Sequence, residues 1–280
     1  MTETPNAAQA EYWNETAGPV WTSMQVQLDR QTGPLGAAAI SALAPTAGQR
    51  ILDIGCGCGA SSWELAALVG AGGSVVGVDL SRPMLEVARG RGSGGPAPEF
   101  READAQAGDL GERAFDAAFS RFGVMFFSDP AAAFANIRGA VKPGGRLAFV
   151  CWRAMTENPL MYAPAKAAAA FVALSPPTDP TAPGPFAFAD PARVRAILDD
   201  AGWSEISIEP FDTTVGGSGL DEAVALALRL GPLGAALREA PQTLDQVRPA
   251  VRTALEAYLT PQGVMFPAAV WIVMARRPAQ

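Results

Sequence analysis

The feature that most constrains this fold is a glycine-rich turn directly after a short apolar run. The run Arg50–Ile54 is typical of a buried strand, and glycine occupies every second position of the following turn, Gly55–Gly59. Apolar residues at helical spacing come next, so the turn joins a strand to a helix. Because glycine has no Cβ, such a turn lets the backbone approach a ligand closely. The pattern predicts a ligand site at the carboxyl end of this first strand.

Strand-like and helical patterns alternate from residue 50 onward. Strands separated by helices are parallel and are joined by right-handed crossovers, which predicts a doubly wound α/β sheet. The predicted strands are Arg50–Ile54, Ser74–Asp79, Glu99–Glu102, Phe115–Ser120, Arg146–Cys151, Glu205–Pro210 and Ala268–Met274.

Other segments flank or interrupt this alternation. We predict that residues 1–280 form one domain, with a helical N-terminal lead-in over residues 1–45 and a cofactor-binding core over residues 50–152. Residues 153–189 and 216–263 are predicted to be insertions that form a lid over the site.

Both insertions are rich in apolar residues and proline and carry few charges. The second contains two amphipathic patterns, Leu220–Ala240 and Leu244–Leu259, which indicate helices. An apolar pocket under such a lid would suit a largely apolar small molecule. Packing of these helices on each other, or a contact between two copies of the chain, would explain the same composition, so a homodimer stays open.

The composition excludes several kinds of chemistry. The chain has no histidine, which rules out Ser-His and Cys-His nucleophile pairs and histidine-containing zinc sites. The three cysteines, Cys56, Cys58 and Cys151, are too few for a four-thiolate site, so we expect free buried thiols and no metal. A net charge of −7, only two lysines and scattered arginines argue against a nucleic-acid partner.

The same sequence bears on location. No apolar run reaches the about 18 residues that a membrane helix needs, so we expect no membrane span. Met1–Ala10 has neither the basic start nor the apolar core of a secretory signal, which predicts a cytoplasmic protein.

Two acidic residues help to choose between cofactors. Asp79 ends the predicted second strand, where its carboxylate can accept both hydroxyls of a ribose. Gly55, Gly57 and Ala60 fit a permissive dinucleotide fingerprint, so an NAD(P)-dependent oxidoreductase stays open. Asp53, expected at the mouth of the site, would repel a pyrophosphate but attract the ammonium and sulfonium of S-adenosylmethionine. These charges favour the methyl donor.

Five segments between Arg50 and Trp152 occur in a recognisable order and spacing. They are Leu52–Gly59, Val76–Leu85, Ala103–Ala105, Phe115–Ser120 and Val141–Leu147. Together they resemble the motifs of class I S-adenosylmethionine-dependent methyltransferases, in the branch of the ubiquinone/menaquinone C-methyltransferases and other small-molecule methyltransferases. The resemblance implies a Rossmann-like, mostly parallel sheet of seven strands, with an antiparallel edge strand from the last two predicted strands.

The resemblance also implies roles for individual residues. The methionine end of the donor would lie against Asp53, Gly55, Cys56 and Gly57, the ribose against Asp79, Leu80 and Met84, the adenine against Asp104 and Ala105, and the sulfonium beside Ser120. After Ser120 the chain lacks the Asn-Pro-Pro-Tyr-like run of some members, which removes the usual grounds for an amide N-methyltransferase.

The acceptor side is predicted by position alone, and no catalytic residue is assigned. The proposed substrate contacts are Arg121, Trp152, Asn158 and Tyr162, and the candidate bases are Glu157, Tyr162, Tyr12 and Asp129. Tyr12, Trp13 and Trp21 either cap the cofactor or pack the lead-in on the core.

The sequence therefore predicts an enzyme that transfers a methyl group from S-adenosylmethionine to carbon or oxygen of a small, largely apolar molecule. An enzyme of the same fold that binds this cofactor without methyl transfer is the alternative, and an NAD(P)-dependent oxidoreductase is a weaker one. The acceptor, the methylated atom and the oligomeric state are not determined by the sequence.

Overall fold

A single mixed sheet forms the centre of the protein. The computed structural model describes residues 6–92, 95–174 and 179–279. Its strands are β1 Arg50–Ile54, β2 Ser74–Asp79, β3 Glu99–Glu102, β4 Phe115–Arg121, β5 Val141–Trp152, β6 Ser204–Ser218, β7 Leu259–Thr260 and β8 Gly263–Arg276. The strand order is β3-β2-β1-β4-β5-β8-β6, with β7 paired to β8 outside this series.

Strands β1 to β5 are parallel, and β8 is antiparallel to both β5 and β6. The predicted Rossmann-like α/β class is therefore confirmed, including the antiparallel pair at one side of the sheet. The eighth strand is β7, which is only two residues long and carries no pattern that a sequence could reveal.

Helices flank the sheet. They are α1 Ala7–Glu11, α2 Ala17–Ser23, α3 Gln25–Leu43, α4 Ala60–Val69, α5 Arg82–Gly90, α6 Pro130–Ala140, α7 Pro159–Ala168, α8 Pro191–Asp200, α9 Leu220–Ala227, α10 Gly231–Glu239 and α11 Leu244–Glu256. A π-helical turn, Tyr12–Thr16, joins α1 to α2, so the described part of the lead-in is helical as predicted.

The core lies on both faces of the central strands. In β1, Ile51 and Leu52 are fully buried although they point to opposite faces. A strand covered on both faces reads as a continuous apolar run, which is why β1 lacks alternation. Each such side chain contributes roughly 1.5–3 kcal/mol to the folded state.

The carboxyl ends of β1 to β5 meet at one edge of the sheet, which we call the ligand edge. Because β8 is antiparallel to β5, its first residue, Gly263, lies on the side of this edge, and so does the last residue of β6, Ser218. The insertion between these two strands, residues 219–262, therefore leaves the sheet at the ligand edge.

The structure corrects both predicted lid helices: the helix predicted over Leu244–Leu259 ends at Glu256, because Leu259 pairs with β8 as part of β7. The pattern over Leu220–Ala240 forms two helices, because Gly231 adopts a positive φ of 63° and Pro232 occupies the first turn of α10. The predicted strands Glu205–Pro210 and Ala268–Met274 also extend further, as β6 and β8. The parts of the predictions at residues 1–5, 93–94, 175–178 and 280 lie outside the described residues.

Within the described ranges, no helix is both long and apolar enough to cross a membrane.

Candidate donor site at the ligand edge

The glycine turn after β1 has a backbone that only glycine adopts readily. Gly55, Gly57 and Gly59 have positive φ values of 62°, 54° and 81°. A Cβ on Gly55 would lie 2.8 Å from the Cα of Gly123, in the loop after β4. The sequence pattern therefore reflects a close approach of two backbone segments as well as an opening for a ligand.

Asp79 holds this turn against the end of β2. Its carboxylate accepts hydrogen bonds from the backbone N–H of Gly57, at 2.7 Å, and of Ser81, at 2.8 Å. Burial raises the pKa of Asp79, and these two N–H donors partly oppose that effect. Because each carboxylate oxygen has a second lone pair, the carboxylate can still accept two further hydrogen bonds.

Asp53 lies deeper than expected. The prediction that it stands at the mouth of the site is wrong: its side chain is fully buried, because the first turn of α4 covers it. The hydroxyls of Ser61 and Ser62 both donate to its Oδ2, at 2.8 and 2.6 Å. Burial raises the pKa of Asp53 to about 6, against the opposing effect of the two hydroxyls.

The second oxygen of Asp53 is left without a hydrogen bond. Oδ1 is buried and has no partner among the described residues. An unpaired buried acceptor costs about 1–3 kcal/mol, so a structure that keeps one commonly has a functional use for it. A cationic ligand at the glycine turn would supply the missing donor.

Ser120 connects the two backbone segments of the site. Its hydroxyl is fully buried, donates to the carbonyl of Ile54 at 2.8 Å and accepts from the N–H of Gly123 at 3.2 Å. The structure thus places Ser120 beside the glycine turn, with its only proton already used. This hydroxyl positions the turn and has no proton left to donate to a ligand.

The residues predicted to hold an adenine lie in the loop after β3. Asp104 accepts hydrogen bonds from the side chain of Asn6, at 3.3 Å, and from the N–H of Gln106, at 2.9 Å. The carbonyl of Ala105 accepts from the Asn136 side chain at 3.1 Å. The loop is therefore fixed from both sides, and the lead-in contributes one of its contacts.

The lead-in crosses the end of β2. The Asn14 side chain donates to the carbonyl of Leu80 at 2.9 Å and accepts from the N–H of Arg82 at 2.9 Å. Ser81 occupies the N-cap position of α5, but its hydroxyl donates to the Trp13 carbonyl instead of capping the helix. The π-helical turn of the lead-in is thus attached to the segment that would hold a ribose.

A partly buried ion pair attaches α3 to the same edge. Asp29 accepts hydrogen bonds from Arg121, at 3.0 Å, from Arg91 and from Gln25. Burial alone would raise the pKa of Asp29, but the Arg91 hydrogen bond and the charge of Arg121 hold it below its ordinary value. The predicted substrate contact Arg121 is therefore already paired with the lead-in.

The three cysteines are unreactive near neutral pH, and Met84 lines the glycine turn. Cys56, Cys58 and Cys151 are buried free thiols, as predicted. Burial raises the pKa of Cys56 well above its ordinary value and that of Cys58 to about 12, so neither is a thiolate near neutral pH. The methyl group of Met84 lies 2.8 Å from where a Cβ on Gly57 would be, so Met84 forms a wall of the turn.

The acceptor-side predictions separate into wall residues and supporting residues. Trp152 stacks on Phe122, with ring centroids 4.4 Å apart, and Phe122 has a strained φ of 61° at the end of β4. Asn158 is fully buried: its amide donates to the Ala269 carbonyl at 3.0 Å and accepts from the Ala269 N–H at 2.9 Å. Both ends of that amide are used, so Asn158 supports the fold and is not a substrate contact.

Two of the four candidate bases are engaged in other contacts. Glu157 pairs with Arg153 and accepts from the N–H of Ala154, and Asp129 caps α6 through the N–H of Ala132. Tyr12 and Tyr162 are partly exposed, at 39% and 36%. None of the four is held as a general base would be, in a buried position with an orienting partner.

The comparisons with known proteins agree with this geometry. Residues 51–145 match the family model described as a methyltransferase domain. This segment is therefore similar in sequence to a methyltransferase domain. The match spans β1 to the first part of β5, which is the part of the sheet that carries the glycine turn, Asp79 and Asp104.

Relatives and solved structures extend the likeness beyond this domain. Over 110 residues the chain is 41% identical to demethylmenaquinone methyltransferase from Clavibacter sepedonicus, covering 39% of this chain and 44% of that protein. The structure resembles the YcgJ protein of Bacillus subtilis, with a TM-score of 0.57, 16% identity and coverage of 86% and 97%. It also resembles Haemonchus contortus phosphoethanolamine N-methyltransferase 2 in complex with S-adenosyl-L-methionine, with a TM-score of 0.52, 18% identity and coverage of 88% and 52%.

The chain spans about half the length of the curated relatives it matches. The relatives therefore bear mainly on the segment that matches a methyltransferase domain, and the two solved structures bear on the fold of most of the chain. The resemblance to small-molecule methyltransferases that the motifs indicated is confirmed for this domain.

Several residues of the site escaped the sequence analysis. Ser61 and Ser62 carry a usable signal, because two hydroxyls in the first turn of the helix after the glycine turn face back toward Asp53. Asn14 and Asp29 carry none, since their partners at the ligand edge are 62 or more positions away along the chain. Such contacts depend on how the lead-in docks, which no local pattern encodes.

Proposed function

We propose that this chain is an S-adenosylmethionine-dependent methyltransferase that methylates carbon or oxygen of a small, largely apolar molecule. The observation that carries the proposal is the Asp79 carboxylate bonded to the N–H of Gly57 at the end of β2. It joins an acid with two free lone pairs to a turn of positive-φ glycines, inside a methyltransferase domain. The demethylmenaquinone methyltransferase relative supports a small acceptor.

The residues at the ligand edge fit this donor. Asp79 would accept the two ribose hydroxyls, and the unpartnered Oδ1 of Asp53 would accept the ammonium of the methionine end. Gly55 and Gly57 would leave room for that end, with Cys56, Leu80 and Met84 as walls. Asp104 and Ala105 would face the adenine, since their loop is fixed next to the end of β3.

The donor supplies a methyl group on a sulfonium, which is electrophilic without further activation. The chain's own contribution is to align the two reactants and to exclude water. Ser120 holds the glycine turn against the loop after β4, and Trp152 with Phe122 forms an apolar wall beside it. We propose that the lead-in, attached through Asn14 and Asp29, covers the donor.

No protein base is required by this proposal. The described candidates are either paired, as Glu157 is, or partly exposed, as Tyr12 is. An acceptor that is already acidic, such as a phenol or an enol, would lose its proton to solvent before transfer.

We propose further that residues 1–280 act as a single unit, with 153–189 and 216–263 as the lid.

Product analysis tests the proposal. The protein is incubated with S-adenosylmethionine and a panel of polycyclic phenols and quinones, and S-adenosylhomocysteine is measured by liquid chromatography. We expect S-adenosylhomocysteine to accumulate together with a methylated product. Conversion of a panel molecule without S-adenosylhomocysteine would instead favour the enzyme of the same fold that does not transfer a methyl group.

A further inference from the structure

A cavity lies in the lid, away from the glycine turn. It has a volume of about 320 Å³ and lies between α2 of the lead-in and the lid helices α9, α10 and α11. Its apolar lining includes Val20, Ala225, Leu228, Leu237 and Leu244. The volume is at the lower end of the range for small-molecule sites, which is about 300–1,000 Å³.

The rim of this cavity has an unusual charge. Arg229, Arg238 and Arg248 all line it, and the lining contains no acidic residue. In a chain with 28 acidic and 21 basic residues, three arginines at one apolar cavity are a local reversal of the overall charge. The field at this rim therefore attracts anions.

These arginines have no carboxylate partner in the part of the chain that the structure describes. Other arginines of the same lid do pair: Arg252 forms ion pairs with Asp221 and Glu256. By contrast, Arg238 bonds only the carbonyl of Arg229, at 3.3 Å, and no ion pair within 4.0 Å involves Arg229 or Arg248 among the described residues. Their guanidinium groups retain donors for a ligand.

A chain of aromatic contacts connects α2, beside the cavity, with the ligand edge. Val20 is followed by Trp21, whose ring lies 5.8 Å from that of Trp13, and Trp13 packs edge-on against Phe126 at 5.0 Å. Phe126 belongs to the loop after β4, next to the segment that Ser120 fixes. Packed aromatic rings thus link α2, which lines the cavity, to the loop after β4 on the donor side.

We propose that this cavity binds an apolar molecule that carries one anionic group, with the apolar body inside and the anion on Arg229, Arg238 and Arg248. Since it lies in the lid, the proposal also names the class of acceptor, an apolar carboxylate, and in that respect it rests on the proposed methyl transfer. Guanidinium groups bind carboxylates through paired, charge-assisted hydrogen bonds, and an apolar wall beside them strengthens those bonds.

A pair of fluorescent probes tests the inference without knowledge of the natural ligand. 8-Anilinonaphthalene-1-sulfonate is an apolar aromatic anion, and N-phenyl-1-naphthylamine has the same rings without the sulfonate. We expect saturable binding of the anion to the native chain at one site per protein. The neutral probe should bind at least about tenfold more weakly, because it forms no charge-assisted hydrogen bond.

Matched variants locate the probe. Arg229→Gln with Arg248→Gln should weaken the anion at least about tenfold and leave the neutral probe unchanged. Arg193→Gln with Arg195→Gln, on the surface of α8, removes the same charge and should change neither. Ala225→Trp should fill the cavity and abolish binding of both probes.

The outcomes separate this inference from the proposed function. Unchanged anion binding in the Arg229/Arg248 variant, or displacement of the probe by S-adenosylhomocysteine, would overturn the inference, since the probe would then sit elsewhere or in the donor site. Binding of S-adenosylmethionine to the same double variant is measured in parallel. The double variant should bind S-adenosylmethionine as tightly as the native chain does. If the native chain does not bind S-adenosylmethionine, the methyltransferase proposal is refuted, but the result with the anionic probe still stands.

Discussion

The donor side and the lid side of the ligand edge are built in opposite ways. On the donor side, Asp53, Asp79 and Ser120 are each fixed by two hydrogen bonds to neighbouring segments. On the lid side, apolar helices surround a cavity whose polar groups, Arg229 and Arg248, are exposed and have no ion pair within the described ranges. A preorganised polar site suits one invariant cofactor, whereas an apolar cavity with a charged rim adapts to the shape of an acceptor.

The largest effect should come from Asp79. Asp79→Ala would remove the proposed acceptor of both ribose hydroxyls. Each hydrogen bond to a charged group is worth about 1.5–3 kcal/mol, so affinity for S-adenosylmethionine should fall at least about 100-fold by calorimetry. Asp116→Ala is the control, because Asp116 also holds a backbone N–H and a lysine, but at the opposite end of the strands. If both variants lost the same affinity for S-adenosylmethionine, Asp79 would affect binding only by stabilising the fold.

A pair of glycines compares the two sides directly. Gly55→Ala adds backbone strain of about 1–2 kcal/mol and a clash with Gly123 of about 1–3 kcal/mol, so the free energy of unfolding should fall by about 2–5 kcal/mol. Gly231→Ala has nearly the same φ, 63°, but no atom within 4 Å of the added Cβ, so only about 1–2 kcal/mol should be lost. Urea unfolding measures both, and equal losses would refute the close backbone contact at the donor side.

Asp53 should give the donor side its own pH dependence. Its folded pKa, about 6, lies above the ordinary value of 3.8, so the native state binds the proton more tightly than the unfolded chain. Stability should therefore fall as pH rises from about 4 to about 6, by on the order of 3 kcal/mol, and Asp53→Asn should remove that slope.

Binding of the donor should show the opposite trend. An ammonium on Oδ1 favours the ionised carboxylate, so affinity for S-adenosylmethionine should increase as pH rises through about 6 and then level off. Calorimetric titrations of the native protein and of Asp53→Asn across this pH range measure the effect. If the affinity of both proteins changed with pH in the same way, the proposed contact between the ammonium and Asp53 would be contradicted.

The smallest effect is expected at Glu157. Its carboxylate is partly exposed and already paired with Arg153, so Glu157→Gln should leave donor affinity unchanged and alter turnover by less than about twofold. Turnover is followed as S-adenosylhomocysteine formed from an accepted panel molecule. A variant that binds donor normally but is inactive would make Glu157 the missing base.

The two sides also differ in how well the sequence predicts them. The order of β1 to β5 and the position of Asp79 follow from local patterns, because alternating strands and helices and a positive-φ turn leave residue-level signals. The depth of Asp53 does not follow, since the covering hydroxyls act only once α4 has packed. The sequence does show the glycine-proline pair at Gly231 that separates α9 from α10. The apolar periodicity continues across this pair, however, and it favoured one uninterrupted helix.

The most direct measurement is calorimetric titration of the native protein with S-adenosylmethionine, S-adenosylhomocysteine and NAD. The account predicts that the first two bind at one site per chain and that NAD does not, because a pyrophosphate would meet the carboxylate of Asp79 beside the glycine turn. Binding of NAD, or of none of the three, would contradict the assignment of this turn as a methyl-donor site.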